Sequence, residues 1–209
     1  MLPRNVLLAS VSSVWCLASA CGAGTESSAS AEPAPESGDR SAEILEAAGL
    51  AVVRASQPGS VSQTIAGAEI RVVYNRPVAR GREIFGGIVK WGETWNPGAD
   101  QATRIELSRD VHLAGNPVRA GKYSLWAIPG PEEWTLILSG AWDVYHSPYP
   151  GQADDVLRFT VGPSTAPHME ALAFYFPEVD GRQGVLSLHW GQVRLDVPID
   201  VPEPEPEAG

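Results

Sequence analysis

The chain has 209 residues, 44% hydrophobic and 19% charged, which is enough apolar surface for a packed domain and too much for a chain unfolded throughout. Against 25 Asp and Glu stand 15 Lys and Arg, a net charge of -10, and this balance argues against a nucleic-acid binder. With 21 Gly and 18 Pro, turns should be many and long helices few.

Arg4 precedes an uncharged, mostly apolar run over residues 6–17, and the small residues Ala18, Ser19 and Ala20 follow. This is the layout of a secretory signal, and the run is too short to span a bilayer comfortably. Leu17-Ala18-Ser19-Ala20-Cys21 resembles the lipobox of bacterial lipoproteins, with the leucine one place further upstream than usual. The resemblance implies a signal peptide over 1–20, acylation of Cys21 (palmitate-type chains) and a cell-envelope protein partnered to a membrane through its lipid anchor. Gly22 is not the aspartate that favours inner-membrane retention, which leans towards the outer membrane. The alternative is cleavage at a nearby Ala-x-Ala-like site and a secreted or periplasmic protein. Cys16 and Cys21 are the two cysteines, and Cys16 would leave with the signal. The mature domain then has no thiol for a disulfide, a thiolate metal site or a cysteine nucleophile, and its core alone must hold it.

Residues 21–58 read as a flexible acidic tether. Residues 22–38 contain no aromatic or large aliphatic side chain and cannot bury surface. Residues 41–54 (SAEILEAAGLAVVR) have the pattern of a short helix, weakened by Gly49. The tail over 202–209 is a Pro/Glu segment, extended and solvated. Most of the acidic surplus lies in these two ends, so no strongly acidic binding face is expected on the folded body.

The body, 59–201, reads as strands. Residues 61–75 hold two β-rich runs around Ala66-Gly67, and Ile70, Val72 and Tyr74 share a face by alternation. Thr103, Ile105 and Leu107 alternate likewise. Ala114-Gly115-Asn116 marks a hairpin turn within 111–120. Runs 123–128 and 134–138 flank the turn Pro129-Gly130-Pro131-Glu132; 156–161 and 172–176 alternate again. Runs 185–190 and 192–197 are separated only by Gly191, as at a tight hairpin or bulge. Roughly nine short strands without a convincing helix imply an all-β fold, an antiparallel β-sandwich of jelly-roll-like type with flexible N- and C-terminal tails.

Residues 76–101 (RPVARGREIFGGIVKWGETWNPGADQ) interrupt this pattern. So long and aromatic a loop is expected to pack over a sheet edge or close one end of the sandwich, and long ordered loops also carry function. Several motifs lie in order here: Arg76-Pro77, Gly81-Arg82, Ile84-Phe85-Gly86-Gly87, Gly98-Ala99, Ala102-Thr103, Ala120-Gly121, Tyr123-Ser124-Leu125, Ile128-Pro129 and Trp134-Thr135. Together they resemble the bacterial family called domain of unknown function 2911, from about residue 60 to 201. The resemblance implies an exported envelope protein, often a lipoprotein, and no established activity. Where the family often reads W-R-x-G-A-N, this chain has Trp95-Asn96-Pro97-Gly98-Ala99-Asp100, so Asn96 and Asp100 replace an arginine and an amide.

Site chemistry is sparse. His112, His146, His168 and His189 have no metal-ligand spacing; a strand or loop could bring Asp143 to His146, but a surface or loop histidine is the better reading, so no metal and no cofactor are expected. There is no G-x-S-x-G elbow around Ser124 or Ser139, and Gly81 to Gly87 lacks the helix and lysine of a phosphate loop. No catalytic residues are assigned. The tryptophans Trp126, Trp134 and Trp190 suit a core, whereas Trp91, Trp95 and Trp142 sit in loop-like segments where an indole can stack on a sugar or another flat ligand. Arg76, Arg82 and Asp100 would supply polar contacts; the rival role for Arg82 is to bond carbonyls freed by irregular backbone. The leading expectation is a non-catalytic sandwich that binds a carbohydrate, a small molecule or a partner. The alternatives are a hydrolase of envelope glycans using Glu83, Glu93 or Asp100, and a structural envelope component pairing through an edge strand.

Overall fold

The computed structural model describes residues 55–203. Cys21, the tether up to residue 54, the helix expected over 41–54 and most of the Pro/Glu tail lie outside the described residues. The strands are β1 (Gln57–Ile65), β2 (Ala68–Arg76), β3 (Arg104–Leu107), β4 (Val111–Leu113), β5 (Asn116–Val118), β6 (Gly121–Ile128), β7 (Trp134–Ser139), β8 (Asp155–Val161), β9 (Ser164–Asp180) and β10 (Gln183–Asp200). They form two antiparallel sheets, one ordered β1-β2-β3-β6-β7-β8 and the other β5-β4-β10-β9. The fold is therefore all-β and sandwich-like. Pairing starts at Gln57, opposite Arg76, slightly earlier than the body read from sequence. Among the described residues, a 3-10 turn at Gln152–Asp154 is the one helical piece, and no helix is long and apolar enough to cross a membrane.

Two hairpins close as their dipeptides suggest. Ala66 and Gly67 have φ of 44° and 81°, and Ala114 and Gly115 have 47° and 79°. Paired positive φ values give the two-residue turn whose twist matches that of antiparallel strands.

β10 is extended along its length yet doubles back at Gly191. Ser187 Oγ donates to Asp196 Oδ1 at 2.6 Å, and Val201 N–H donates to the Arg182 carbonyl at 2.9 Å. On one straight strand Ser187 and Asp196 would be about 30 Å apart. Gly191 has φ of 59°, and a Cβ there would lie 2.8 Å from Ile84 Cδ1, so both conformation and space call for glycine. The first arm pairs with β9, which continues past the bend to pair with Val193 and Arg194 of the second arm, and that arm then meets β4 through Ile199 opposite Leu113.

The core follows the alternation. Ile105, Leu125, Leu136 and Leu138 face Leu113, Phe174, Leu186, Leu188 and Val197 around a void of about 20 Å³. A void that small holds at most one water, so the sandwich interior is packed and is no ligand chamber. β6 is buried on both faces. Tyr123, Leu125 and Ala127 point into the core, while Trp126 lies with Ile137 and Ala102 in a second cluster on the outer face.

Candidate functional site

The connection between β2 and β3, residues 77–103, closes one end of the sandwich. β2 and β6 are both antiparallel to β3, so their C-terminal ends lie at the same end. Leaving β2, the loop first covers the free edge of β9. Leu172 N–H donates to the Pro77 carbonyl at 2.9 Å, Ala79 N–H to the Glu170 carbonyl at 2.9 Å, and Phe174 N–H to the Tyr74 hydroxyl at 3.1 Å. An edge that is covered in this way is removed as a template for another chain. The loop then reaches the other sheet, where Trp95 and Ala127 exchange two backbone hydrogen bonds of 2.8 Å beside the half of β6 that β3 leaves unpaired.

The glycines of Ile84-Phe85-Gly86-Gly87 shape the tip. Gly86 has φ of 92°, and a Cβ on Gly87 would lie 2.2 Å from the Glu83 carbonyl oxygen. That close approach lets Ile88 N–H reach Glu83 and Val89 N–H reach Ile84 at 3.0 and 2.8 Å. The turn presents Phe85 inward. Its ring meets Trp134 at 5.0 Å, Trp91 at 6.0 Å, Trp95 at 6.2 Å and Trp190 at 6.3 Å, while Trp95 stacks on Trp190 at 6.1 Å with 16° between planes. Trp134 and Trp190 are buried core residues and Trp95 is half-buried above them. Trp91 remains 45% exposed and Ile88 41%, the solvent side of this aromatic plug.

The residues singled out in the sequence fall in different places. Arg76 Nε donates to the Leu172 carbonyl at 3.1 Å, fastening β2 to β9. Arg82 donates to the carbonyls of Ala79 and Val78 at 2.9 and 2.8 Å. Its guanidinium thus satisfies irregular backbone beside the plug. Asp100 has φ of 58°, and its carbonyl accepts His146 N–H at 2.9 Å and His146 Nδ1–H at 2.8 Å. Trp142 lies on the outer face of the six-stranded sheet, away from the plug, with Lys122 Nζ 4.9 Å and Arg104 Cζ 5.7 Å from its ring centroid. In the sequence Asn96 stands out only as a departure from the family pattern. It is 1% exposed, donates to the Leu125 carbonyl at 2.8 Å and accepts Thr103 N–H at 3.0 Å, so its amide faces the protein interior. Its sequence signal was Asn-Pro followed by Gly98, where a Cβ would stand 2.4 Å from Thr103 Oγ1.

Residues 140–154 cover the outer face of β6 and β7. Ser124 Oγ accepts Trp126 Nε1–H at 2.8 Å and donates to the Ala141 carbonyl at 2.8 Å, which commits this serine to the loop. At the far end the Tyr149 hydroxyl donates to Asp155 Oδ1, and Arg158 Nε donates to Asp155 Oδ2 at 2.5 Å. Burial, reinforced by the Asp155 bond, pushes the Tyr149 phenol above its ordinary value, and burial does the same to Tyr123, helped by Asp110. A pKa raised by folding contributes stability that is present below the unfolded value and is lost as pH climbs through the folded one. The domain is therefore expected to weaken above about pH 10, and Tyr149→Phe to flatten part of that decline, with Tyr123 supplying the rest. Urea midpoints of both proteins between about pH 8 and pH 11 measure it; parallel curves would remove Tyr149 from the account.

The histidines are spent on protein partners. His189 Nε2–H donates to the Pro167 carbonyl at 3.0 Å and its Nδ1 lies 3.3 Å from the Tyr175 hydroxyl; His168 meets Glu170 at 2.9 Å and His112 meets Asp200 at 3.5 Å. Among the described residues no group of three His, Cys, Asp or Glu side chains is placed to hold a metal ion. Ser139 is buried, while Glu83 and Glu93 are exposed on the loop. Open concavities lie away from the plug. One, of about 310 Å³, is lined by Glu69, Arg71, Glu106, Leu107, Ser108, Gly121 and Lys122 on the outer face. Another, of about 360 Å³, lies at the β9–β10 turn and includes Glu178, Asp180 and Asp200.

Two antiparallel sheets, with one end sealed by a glycine-shaped aromatic loop, define a plugged β-sandwich. The family model described as "Protein of unknown function (DUF2911)" matches residues 56–199, nearly the whole of this sandwich, and the chain belongs to that family. No curated protein and no solved structure matches it.

Proposed function

We propose that the chain is a lipid-anchored cell-envelope protein, held through Cys21, whose sandwich binds a ligand or partner without catalysis. The observation that carries the binding half is Trp91. Its indole is 45% exposed, yet it rests against Phe85, which is wedged among the buried Trp134 and Trp190. A large aromatic face held rigidly in solvent loses little entropy on binding, and such residues anchor interfaces and stack on sugars. Ile88 widens the same apolar surface. The chain enters the domain at this end, where Arg80 Nη2 donates to the Ala55 carbonyl at 3.1 Å.

Titration of the protein with soluble envelope glycan fragments, followed by tryptophan fluorescence, tests the binding. A saturable change is expected in the wild type, with Trp91→Ala weakening it roughly tenfold or more while stability stays within about 1 kcal/mol. Equal titrations of the two proteins would remove Trp91 from the account. The same fragments discriminate the hydrolase alternative: product release by the wild type that disappears in Glu93→Gln/Asp100→Asn would favour catalysis. Anchoring is tested separately, because Cys21→Ala is expected to move the protein from the membrane fraction to the soluble one.

A further inference from the structure

The outer face of the six-stranded sheet carries a charge arrangement that the loop-covered end does not involve. Arg71, Glu106 and Lys122 lie directly opposite one another across β2, β3 and β6. Arg104 is two residues from Glu106 on the same strand and face. The Glu106 carboxylate is approached by Arg104 Nε at 3.2 Å, Arg71 Nη1 at 3.8 Å and Lys122 Nζ at 3.9 Å. One carboxylate cannot balance all of these cations. Ion pairs this exposed gain little individually, and each cation after the first also repels its neighbours.

Two further features sharpen the imbalance. Arg104 Nε is closed off from solvent and has no hydrogen-bond partner, because the Glu106 oxygen at 3.2 Å lies off its N–H direction. The half-buried Trp142 ring holds both Lys122 and Arg104 close, which fixes their positions without neutralising them. Beside this group opens the cleft of about 310 Å³, with Leu107 and Gly121 in its lining and Glu69 as its second acid. Within the lining Glu69 and Glu106 balance Arg71 and Lys122, and Arg104, outside the lining but against the same Glu106 carboxylate, leaves the group as a whole with one positive charge unbalanced.

We propose that this cleft binds a small molecule through a single carboxylate, with Lys122 and Arg71 as its charge contacts and Glu106 as the internal counter-ion whose place the ligand shares. The site is independent of the anchor at Cys21 and of Trp91, so its test stands apart from theirs. A monoanion suits the cleft because it cancels the leftover charge, and the guanidinium of Arg71 matches the planar geometry of a carboxylate. Glu106 then opposes the ligand, which sets a signature that a plain cross-strand charge ladder lacks.

The experiment is an NMR titration of the isotope-labelled full chain in detergent, with sodium benzoate as the probe at constant ionic strength. Benzamide is the uncharged control, and sodium chloride and inorganic phosphate are the competing anions. Benzoate is expected to shift the Trp142 indole N–H and the amides of Glu106 and Lys122 saturably, with benzamide and chloride leaving them in place. Lys122→Met should weaken the response roughly tenfold, with Arg71→Met acting in the same direction, and Glu106→Gln should tighten it several-fold. If the cluster is only a charge ladder, Lys122→Met and Glu106→Gln both lower the melting temperature and leave the benzoate response unaltered, which overturns the proposal. A shift no larger than that from chloride, or tighter binding of phosphate than of benzoate, overturns it as well.

Discussion

Trp134→Ala is expected to destabilise the domain by about 3–5 kcal/mol, on the order of 10 °C in melting temperature. The side chain is 0% exposed and forms the floor on which Phe85, 5.0 Å away, and Trp95, 6.3 Å away, are seated. Removing it forfeits the transfer of a large aromatic surface and leaves a cavity that flat neighbouring rings fill poorly. The loss should spread along the loop, because residues 84–95 stay down through these rings and a handful of backbone hydrogen bonds. Amide exchange over 84–95 should quicken relative to β2 and β3. Urea unfolding of Trp134→Ala, Trp134→Phe and Trp91→Ala separates the terms. The phenylalanine variant should recover part of the loss, and the exposed Trp91 should cost about 1 kcal/mol or less. A Trp134→Ala protein as stable as Trp91→Ala would mean that the plug does not rest on Trp134.

Asn96→Leu is expected to cost about 2–5 kcal/mol despite being nearly isosteric. The amide joins the loop to the sheet by donating to Leu125 and accepting from Thr103, both inside the protein. Leucine leaves the Thr103 N–H and the Leu125 carbonyl facing an apolar group, and each orphaned buried group costs about 1–3 kcal/mol. Asn96→Asp keeps the acceptor for Thr103 but sets a carboxylate against the Leu125 carbonyl, so it should fare no better. Equilibrium unfolding of both variants checks this. A loss under about 0.5 kcal/mol in Asn96→Leu would show that the loop is held without the amide.

These outcomes bear on which parts of the molecule a sequence can display. Ile70, Val72 and Tyr74 announced β2 because one face of that strand is buried and the other wet, a period-two signal. Gly191 was readable as a reversal because glycine alone separated two apolar runs. The first half of β9 was not read, since Pro163, Pro167 and His168 break the alternation. It is held instead by pairing with β10 and by the loop on its free edge. Trp126 was expected inside a core and is buried, but in the second cluster on the outer face, because residues 140–154 lie over a surface that strand pattern alone would leave open. The polar candidates were least legible. Arg76 and Arg82 look alike in sequence whether they face a ligand or a stray carbonyl, and only the folded chain supplied the carbonyls, Leu172 on β9 for Arg76 and Val78 and Ala79 for Arg82. Lys122 and Glu106 drew no notice because their meaning lies in the register of β3 against β6.

The pairing of Ile199 with Leu113 has a kinetic consequence. The second arm of β10 is an interior strand of its sheet, so that sheet is unfinished until the last residues of the sandwich are in place. Contacts between segments so distant in sequence form late and slowly. The six-stranded sheet is complete by Val161, but its core face stays uncovered until β9 and both arms of β10 have followed.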